Sequence, residues 1–303
     1  MKTTKTITGL GYCGMDYLCL VPEIPLDDKI QASETLEQGG GPAATATYAA
    51  AKLGARTMFA GVVGDDSRGQ SILEGLAREG VDTSAMKIRL DAASPVAFCW
   101  IQESTGKRSI AWSHGSVKPL LPEELNMALV RDSALLLLDG HQTAAAIRAA
   151  KLARETGTVV LLDAGTLVDG IDELLALSDI IIASEKFSLR YTGESDPEAG
   201  ARKLFGNNTR FAAVTAGVRG SYGFDGGKSY FQDIFPVQVV DTTGAGDVFH
   251  GAFAYKYVNG GNWRECMRFA AAVSALKCTK FGGRTGIPTL AEVEIFLQEN
   301  KGK

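Results

Sequence analysis

Short apolar runs alternate with stretches of helical period along most of the chain. Residues 135–138, 159–162 and 180–183 are runs of Leu, Val, Ile and Ala with no polar face, and the segments 143–155 and 171–177 between them have helical spacing. Strands that are apolar on both faces and alternate with helices predict a parallel sheet covered on both sides. Ligands gather at the C-terminal ends of such strands, where Asp139, Asp163 and Ser184-Glu185 fall. Residues 6–11, 57–63 and 211–215 read as strands of the same kind. An Ala-rich helix running to about Leu53 and a second one through Arg78, with Ile72, Leu73 and Leu76 on one face, fall between them. Further helices are expected from Val248, over 263–279 and over 290–297. Val237-Gln238-Val239-Val240 and the stretches near Tyr222 and 229–231 read as additional short strands.

Two regions break this rhythm. Residues 96–102 and 108–113 flank Ser104-Thr105-Gly106-Lys107 and alternate, which predicts a hairpin. Residues 17–21 and 32–38 read as two short strands around a loop bearing Pro22 and Pro25. The four strands together would make a small sheet, which cannot bury both faces alone. It must cover a pocket, a second subunit, or both, and Phe98, Trp100 and Trp112 are either its packing residues or pocket wall. The expectation is one α/β domain over residues 1–303, with a discontinuous lid from about 16–38 and 95–115.

Composition changes this picture little but excludes much. With 303 residues, 45% hydrophobic, 22% charged and a net charge of −4, the chain is ordinary globular protein without the basic footprint of a nucleic-acid binder. Cys13, Cys19, Cys99, Cys266 and Cys278 are scattered and odd in number, with no zinc spacing, so a reduced, cytoplasmic protein is expected. Met1-Lys2-Thr3-Thr4-Lys5 is charged and the apolar run after it is short and broken by glycine, so neither a signal peptide nor a membrane span is expected.

The candidate chemistry begins at Asp241-Thr242-Thr243-Gly244-Ala245-Gly246-Asp247, small residues leading into a helix. The first N–H groups of a helix lack internal partners and the dipole is positive there, so such a turn suits an anion, above all phosphate. Asp247 stands where that anion would bind. A carboxylate there suits a base that takes the proton of a hydroxyl attacking the phosphoryl group, and it could also serve as an ordinary helix cap. Gly39-Gly40-Gly41-Pro42 precedes the Ala-rich helix and builds either another open N-terminus or a tight turn. Asp16 is a polar residue in an apolar neighbourhood, as a turn residue would be. Gly9-Leu10-Gly11-Tyr12-Cys13-Gly14 spells GxGxxG, but a dinucleotide fold needs a helix directly after it and the prolines downstream oppose one.

The stretch D-T-T-G-A-G-D-x-x-x-G-A-F-A resembles the C-terminal signature of the PfkB, or ribokinase-like, carbohydrate kinases. The resemblance covers the chain and implies a ribokinase-like three-layer α/β/α fold with a mostly parallel sheet and a β lid that often dimerises. It implies ATP and Mg²⁺ as cofactors, and small-molecule sugar and ATP as partners, with no nucleic acid or membrane. Gly244, Ala245 and Gly246 would hold the transferring phosphoryl group and Asp247 would be the base. Asp16, Gly39, Gly40 and Gly41 would line the sugar pocket. Ala44 stands where the family usually has Asn, which removes a polar contact and makes room. Thr215, Gly217 and Gly220 resemble the family's T-x-G-x-x-G nucleotide loop, and Cys278 and Gly282 belong to the turn that borders adenine. The usual Asn-x-x-Glu is absent, leaving Glu185 as a displaced substitute at the nucleotide site. Asp241, Thr243 and Gly283 would form a potassium site. The motifs G-G-G-P-A-A-T-A and A-L-K-C-T-x-x-G-G-R-x-G-I-P look most like those of sulfofructose kinases, then ketohexokinases and fructokinases, which suggests a ketose phosphorylated on a terminal hydroxyl. An anionic ketose would need a cation, for which Lys29, Arg108 and His141 are candidates. A nucleoside or ribose kinase of the same family, or a sugar sensor without chemistry, is the alternative.

Overall fold

The computed structural model describes residues 6–206 and 208–301; the charged start 1–5 lies outside the described residues. Strand β1 (Ile7–Leu10) leads into β2 (Gly14–Val21) and β3 (Glu34–Gly40), then helix α1 (Pro42–Lys52). Strands β4 (Thr57–Ala60) and β5 (Val62–Gly64) precede α2 (Ser67–Arg78), and β6 (Val81–Asp82), β7 (Lys87–Arg89), β8 (Val96–Gln102) and β9 (Arg108–Ser113) follow. The alternating part runs α3 (Ala128–Arg131), β10 (Leu135–Leu138), α4 (Thr143–Thr156), β11 (Val159–Ala164), α5 (Ile171–Leu177), β12 (Ile180–Ser184), α6 (Glu185–Thr192), α7 (Pro197–Leu204), β13 (Phe211–Thr215), β14 (Ser221–Phe224) and β15 (Ser229–Gln232). Helices α8 (Ala245–Val258), α9 (Trp263–Lys277) and α10 (Leu290–Glu299) close the chain.

Nine strands form one sheet in the order β15-β14-β13-β12-β11-β10-β1-β4-β6, parallel except for β14 and β15. The fully apolar central strands serve two cores at once: Leu135 and Leu137 pack with α1, α8 and α9, while Leu136 and Leu138 pack with α4 and α5. That is the expected three-layer α/β/α arrangement, with helices on both faces of the sheet. The chain order reverses between β1 and β10, and ligands collect at the carboxyl ends of strands on either side of such a switch.

A second sheet, β3-β2-β8-β9, holds the hairpin at the expected residues. Leu18, Cys99 and Ile101 on one of its faces pack on Phe281. Asp16 shares that face with them, since the pleat puts alternate residues on one side.

Two strand expectations change. The run 57–63 is not one strand: Ala60 pairs with Leu10, after which the chain leaves the large sheet and Val62–Gly64 pairs with β7. A Cβ on Gly61 would sit 2.9 Å from the Gly11 carbonyl, so the crossing needs glycine. Residues 237–240 form no strand. Val240 and Asp241 donate their N–H groups to Cys278 instead of to a sheet edge, and Val239 is exposed.

Candidate active site

Gly244 takes the left-handed conformation (φ 72°) as the N-cap of α8, and no side chain caps the helix. The Ala245 N–H turns back to the Thr242 carbonyl at 3.2 Å, so the expected phosphate donor at this position is spent inside the turn. The N–H groups of Gly244, Gly246 and Asp247 find no acceptor among the described residues. Three donors with a helix dipole behind them therefore remain for an anion. The turn is rigid for a stated reason. Asp241, wholly buried, accepts the N–H of Thr243 (2.7 Å) and of Gly282 (2.9 Å), and the ammonium of buried Lys277 bonds its carbonyl (2.8 Å).

The Asp247 side chain starts the first turn of α8 beside this mouth and keeps partial exposure. Burial pushes its carboxyl up; His250, Arg108 and Arg284 pull it down and Asp139 adds to the rise. Asp16 faces the same space, and no hydrogen bond reaches its carboxylate among the described residues. Burial, with Arg284 opposing and Asp247 adding, pushes it up to about 7. A buried carboxylate left without donors is costly unless a ligand supplies them. Gly40 backs it: any Cβ there would run into the carboxylate.

Arg284 is the residue that the sequence reading missed. Nearly inaccessible, it donates to the Gly40 carbonyl and to Thr45 Oγ1 (3.3 Å each), and its guanidinium lies over the Tyr48 ring at 5.0 Å. It stands within the quoted G-G-R motif, and a charged residue between small ones in an apolar context was the available signal. Gly39 leaves room for it, since a Cβ would come 2.6 Å from Nη1. Tyr12, His114, His141 and Trp112 close the other wall as a ring cluster, with Tyr12 centroids 6.2, 5.8 and 5.3 Å from Trp112, His114 and His141. Trp112 thus shares the Asp16 face of the small sheet, whereas Phe98 stacks on Tyr17 (5.5 Å) on the opposite face.

Several expected residues play other parts. Asp139 does not face a ligand: its carboxylate accepts the N–H groups of Tyr12 (2.8 Å), Ala43 (3.1 Å) and His141 (3.0 Å). It thereby closes the N-terminus of α1, so Gly41 (φ 98°) makes a tight turn and not an open anion site. Ala44 is wholly buried in the core and offers no surface. Lys29 is exposed on the loop after β2, and no contact among the described residues joins it to Asp16. Arg108 meets Thr242 (3.1 Å) and lines the neighbouring cavity, beside the anion turn. The GxGxxG glycines serve packing, since a Cβ at Gly9 would strike Thr47 and one at Gly11 would strike Asp139.

That neighbouring cavity, about 650 Å³, is walled by Thr215, Gly217, Gly220, Val239, Gly246, Phe249, Ser274 and Cys278 among others. Its size and largely apolar walls suit a nucleotide-sized ligand, and it opens onto Gly246, at the anion turn. Gly282 is held back on Asp241, and Glu185 is ion-paired with Arg219 at the loop 217–219, a partner the sequence reading did not identify. No cluster of three or more acidic, His or Cys side chains able to hold a metal occurs among the described residues. No helix among the described residues is long and apolar enough to cross a membrane.

Residues 5–290 match the family model described as pfkB family carbohydrate kinase. The chain is 28% identical to a ribokinase of Haemophilus influenzae, over 97% of this chain and 99% of that protein. It is 27% identical to probable fructokinase-4 of Arabidopsis thaliana, over 97% of each. The structure superposes on that of Arabidopsis thaliana ribokinase complexed with ribose and ATP with a TM-score of 0.83, at 29% identity, over 98% of this chain and 99% of that one.

Proposed function

The chain belongs to the pfkB family of carbohydrate kinases, and from that premise we propose that it passes the γ-phosphoryl group of ATP to a terminal hydroxyl of an uncharged pentose or ketohexose. That it is an ATP-dependent carbohydrate kinase follows from the family; the identity of the sugar and the residue roles are our reading. The observation that carries it is the meeting of two unsatisfied groups. The anion turn of α8 lacks acceptors and Asp16 lacks donors, and Asp247 stands between them.

Asp16 would hold two sugar hydroxyls with the Gly39–Gly41 turn behind them, and Tyr12, His141 and Trp112 would close over the ring. Asp247 would take the proton of the attacking hydroxyl as its oxygen bonds to phosphorus and ADP departs. The free N–H groups of Gly244, Gly246 and Asp247 would hold the charge that builds on the phosphoryl oxygens; each such donor is worth roughly 3–4 kcal/mol of barrier. Mg²⁺ bound with ATP neutralises phosphate charge; with Glu185 paired to Arg219, it would be held by the phosphates and water. A monovalent cation would sit beside Asp241 and Gly283; the buried Thr243 hydroxyl, which has no partner there, supports this.

An uncharged sugar is favoured over an anionic one because two of the three expected cations are elsewhere: Lys29 is exposed on its loop and Arg108 lies at Thr242, which leaves His141, packed by its ring on Tyr12. The buried Arg284 is already engaged by Gly40 and Thr45. A coupled ADP-release assay over ribose, fructose, sulfofructose, 2-keto-3-deoxygluconate, fructose 6-phosphate and adenosine tests this, run with K⁺ and with tetramethylammonium in its place. Ribose or fructose should give the highest kcat/KM, and K⁺ should raise turnover. A preference for a charged sugar, or for adenosine, sinks the substrate assignment, and no ADP release with any of them would favour a sensor. Equal rates in the two salts would remove the cation.

The face of the small sheet turned away from the pocket carries Cys19, Phe98 and Trp100, with Phe98 48% exposed. Aromatic area of this kind on an open sheet suits a second copy of the chain. Sedimentation should find a dimer, and Phe98→Asp a monomer; a monomeric wild type overturns this.

A further inference from the structure

His250 and Asp163 lie behind the anion turn, and nothing in the phosphoryl transfer described so far uses them. His250 is one helical turn after Asp247 on α8, almost inaccessible, as is Asp163 at the end of β11. Its Nδ1 is 2.6 Å from the Gly246 carbonyl oxygen and 3.4 Å from Asp163 Oδ2, and its Nε2 is 3.1 Å from the Ile182 carbonyl oxygen. The two carbonyls only accept hydrogen bonds, and Asp163 does so when ionised; burial pushes its carboxyl up to about 7, with His250 opposing. A neutral imidazole has a single N–H to give, so one of its nitrogens would press a lone pair against a buried carbonyl. The ring satisfies both sides only with a proton on each nitrogen. The carboxylate beside it is the counter-charge that such a buried cation requires.

We propose that Asp163 holds His250 as an imidazolium, and that this positive charge behind the base keeps Asp247 ionised and able to take the proton of the sugar hydroxyl. The need for such a charge comes from crowding. Asp16 from β2, Asp139 after β10 and Asp163 from β11 all bear on the space around Asp247. Carboxylates gathered in a poorly solvated pocket share protons, and a protonated Asp247 cannot act as a base. The positive groups that face it are His250 on its own helix, Arg108 from the small sheet, Arg284 from the C-terminal turn and Lys277 from α9. Among these, His250 opposes the upward push of burial most strongly.

A second effect runs through the backbone. The carbonyl that Nδ1 engages belongs to the Gly246–Asp247 peptide, whose N–H points to the anion site. Polarising that carbonyl strengthens the donor at the other end of the same peptide. His250 is on this account a positioning residue, acting through Asp247 and its peptide, not a group that touches substrate.

The inference rests on the kinase reading, and the test separates the two. His250→Gln keeps an amide donor for a carbonyl and removes the charge. Its kcat is to be followed from pH 5.5 to 9 beside wild type. The acid limb should move up by about one pH unit, with roughly tenfold lower turnover below it, near-complete recovery on the alkaline side, and sugar KM within about twofold. An active variant whose turnover is lowered by the same factor at every pH overturns the proposal and leaves the kinase reading intact. Absence of ADP release from wild type would overturn both. Should the variant not fold, nitrogen-15 NMR of the wild-type imidazoles decides without any activity. The chain has three histidines, so His250 is assignable, and both its nitrogens should show protonated shifts at neutral pH. One unprotonated nitrogen at His250 overturns the proposal.

Discussion

Asp247→Asn is expected to lower kcat about 10²–10⁴-fold, the usual worth of a positioned general base, with sugar affinity nearly unchanged. The amide fills the same space at the mouth of α8 but cannot take a proton from the attacking hydroxyl. Sugar affinity should persist because Asp16, Arg284 and the ring cluster around Tyr12 are untouched. Trp112, in the pocket wall and 54% exposed, gives a fluorescence signal for binding that is independent of turnover. Wild-type turnover in this variant would remove Asp247 from the chemistry. Lost sugar binding with lost turnover would make it a binding residue instead.

Gly251→Ala is expected to be among the most damaging single methyl additions in the chain. A Cβ at Gly251 would run into the Ala46 carbonyl, with the Ala46 backbone close behind it. Helices α1 and α8 are packed backbone to backbone here, and neither a rotamer change nor a flexible side chain can relieve the overlap. Overpacking a rigid site costs about 1–3 kcal/mol, occasionally more, and the helices must part to admit the methyl. Because α1 follows the Gly39–Gly41 turn and α8 carries the anion turn, activity should fall with stability. Calorimetry should show a lower Tm, by roughly 2–4 °C per kcal/mol for a chain somewhat smaller than this one, and the ADP assay a lower kcat/KM. A variant with unaltered Tm would mean that the helices are not held as closely as described.

The same glycine shows what could be read from the chain. The run from Val248 through Gly251-Ala252 marked α8 as a helix, though not its close packing on α1, and the apolar runs at 135–138, 159–162 and 180–183 marked the parallel sheet. Local pattern sufficed there because each signal and its structural consequence lie within one element. The hairpin at 96–113 was readable for the same reason. Residues 237–240 were not, because four residues with valines at alternate positions look alike whether they pair in a sheet or wall a cavity. The site was legible where a motif carries its own backbone geometry, as at Gly244–Asp247. It was not legible where distant groups meet. Asp139 looked like a ligand residue at a strand end and is consumed by three backbone N–H groups, one from α1, 96 residues away. Lys29 and Arg108 looked like pocket cations, while the buried cation is Arg284, whose partners Gly40 and Thr45 are 244 and 239 residues distant.

That last distance bears on how the protein folds. The wall behind Asp16 is stitched by a guanidinium 244 residues along the chain from the Gly40 carbonyl it bonds, and β1 has neighbours on both edges only once β4 and β10 have both docked. Contacts of such long separation form slowly, and until this one closes Asp16 sits in an unfinished cup. Competence to engage a carbohydrate should therefore appear only once these two distant parts of the chain have met.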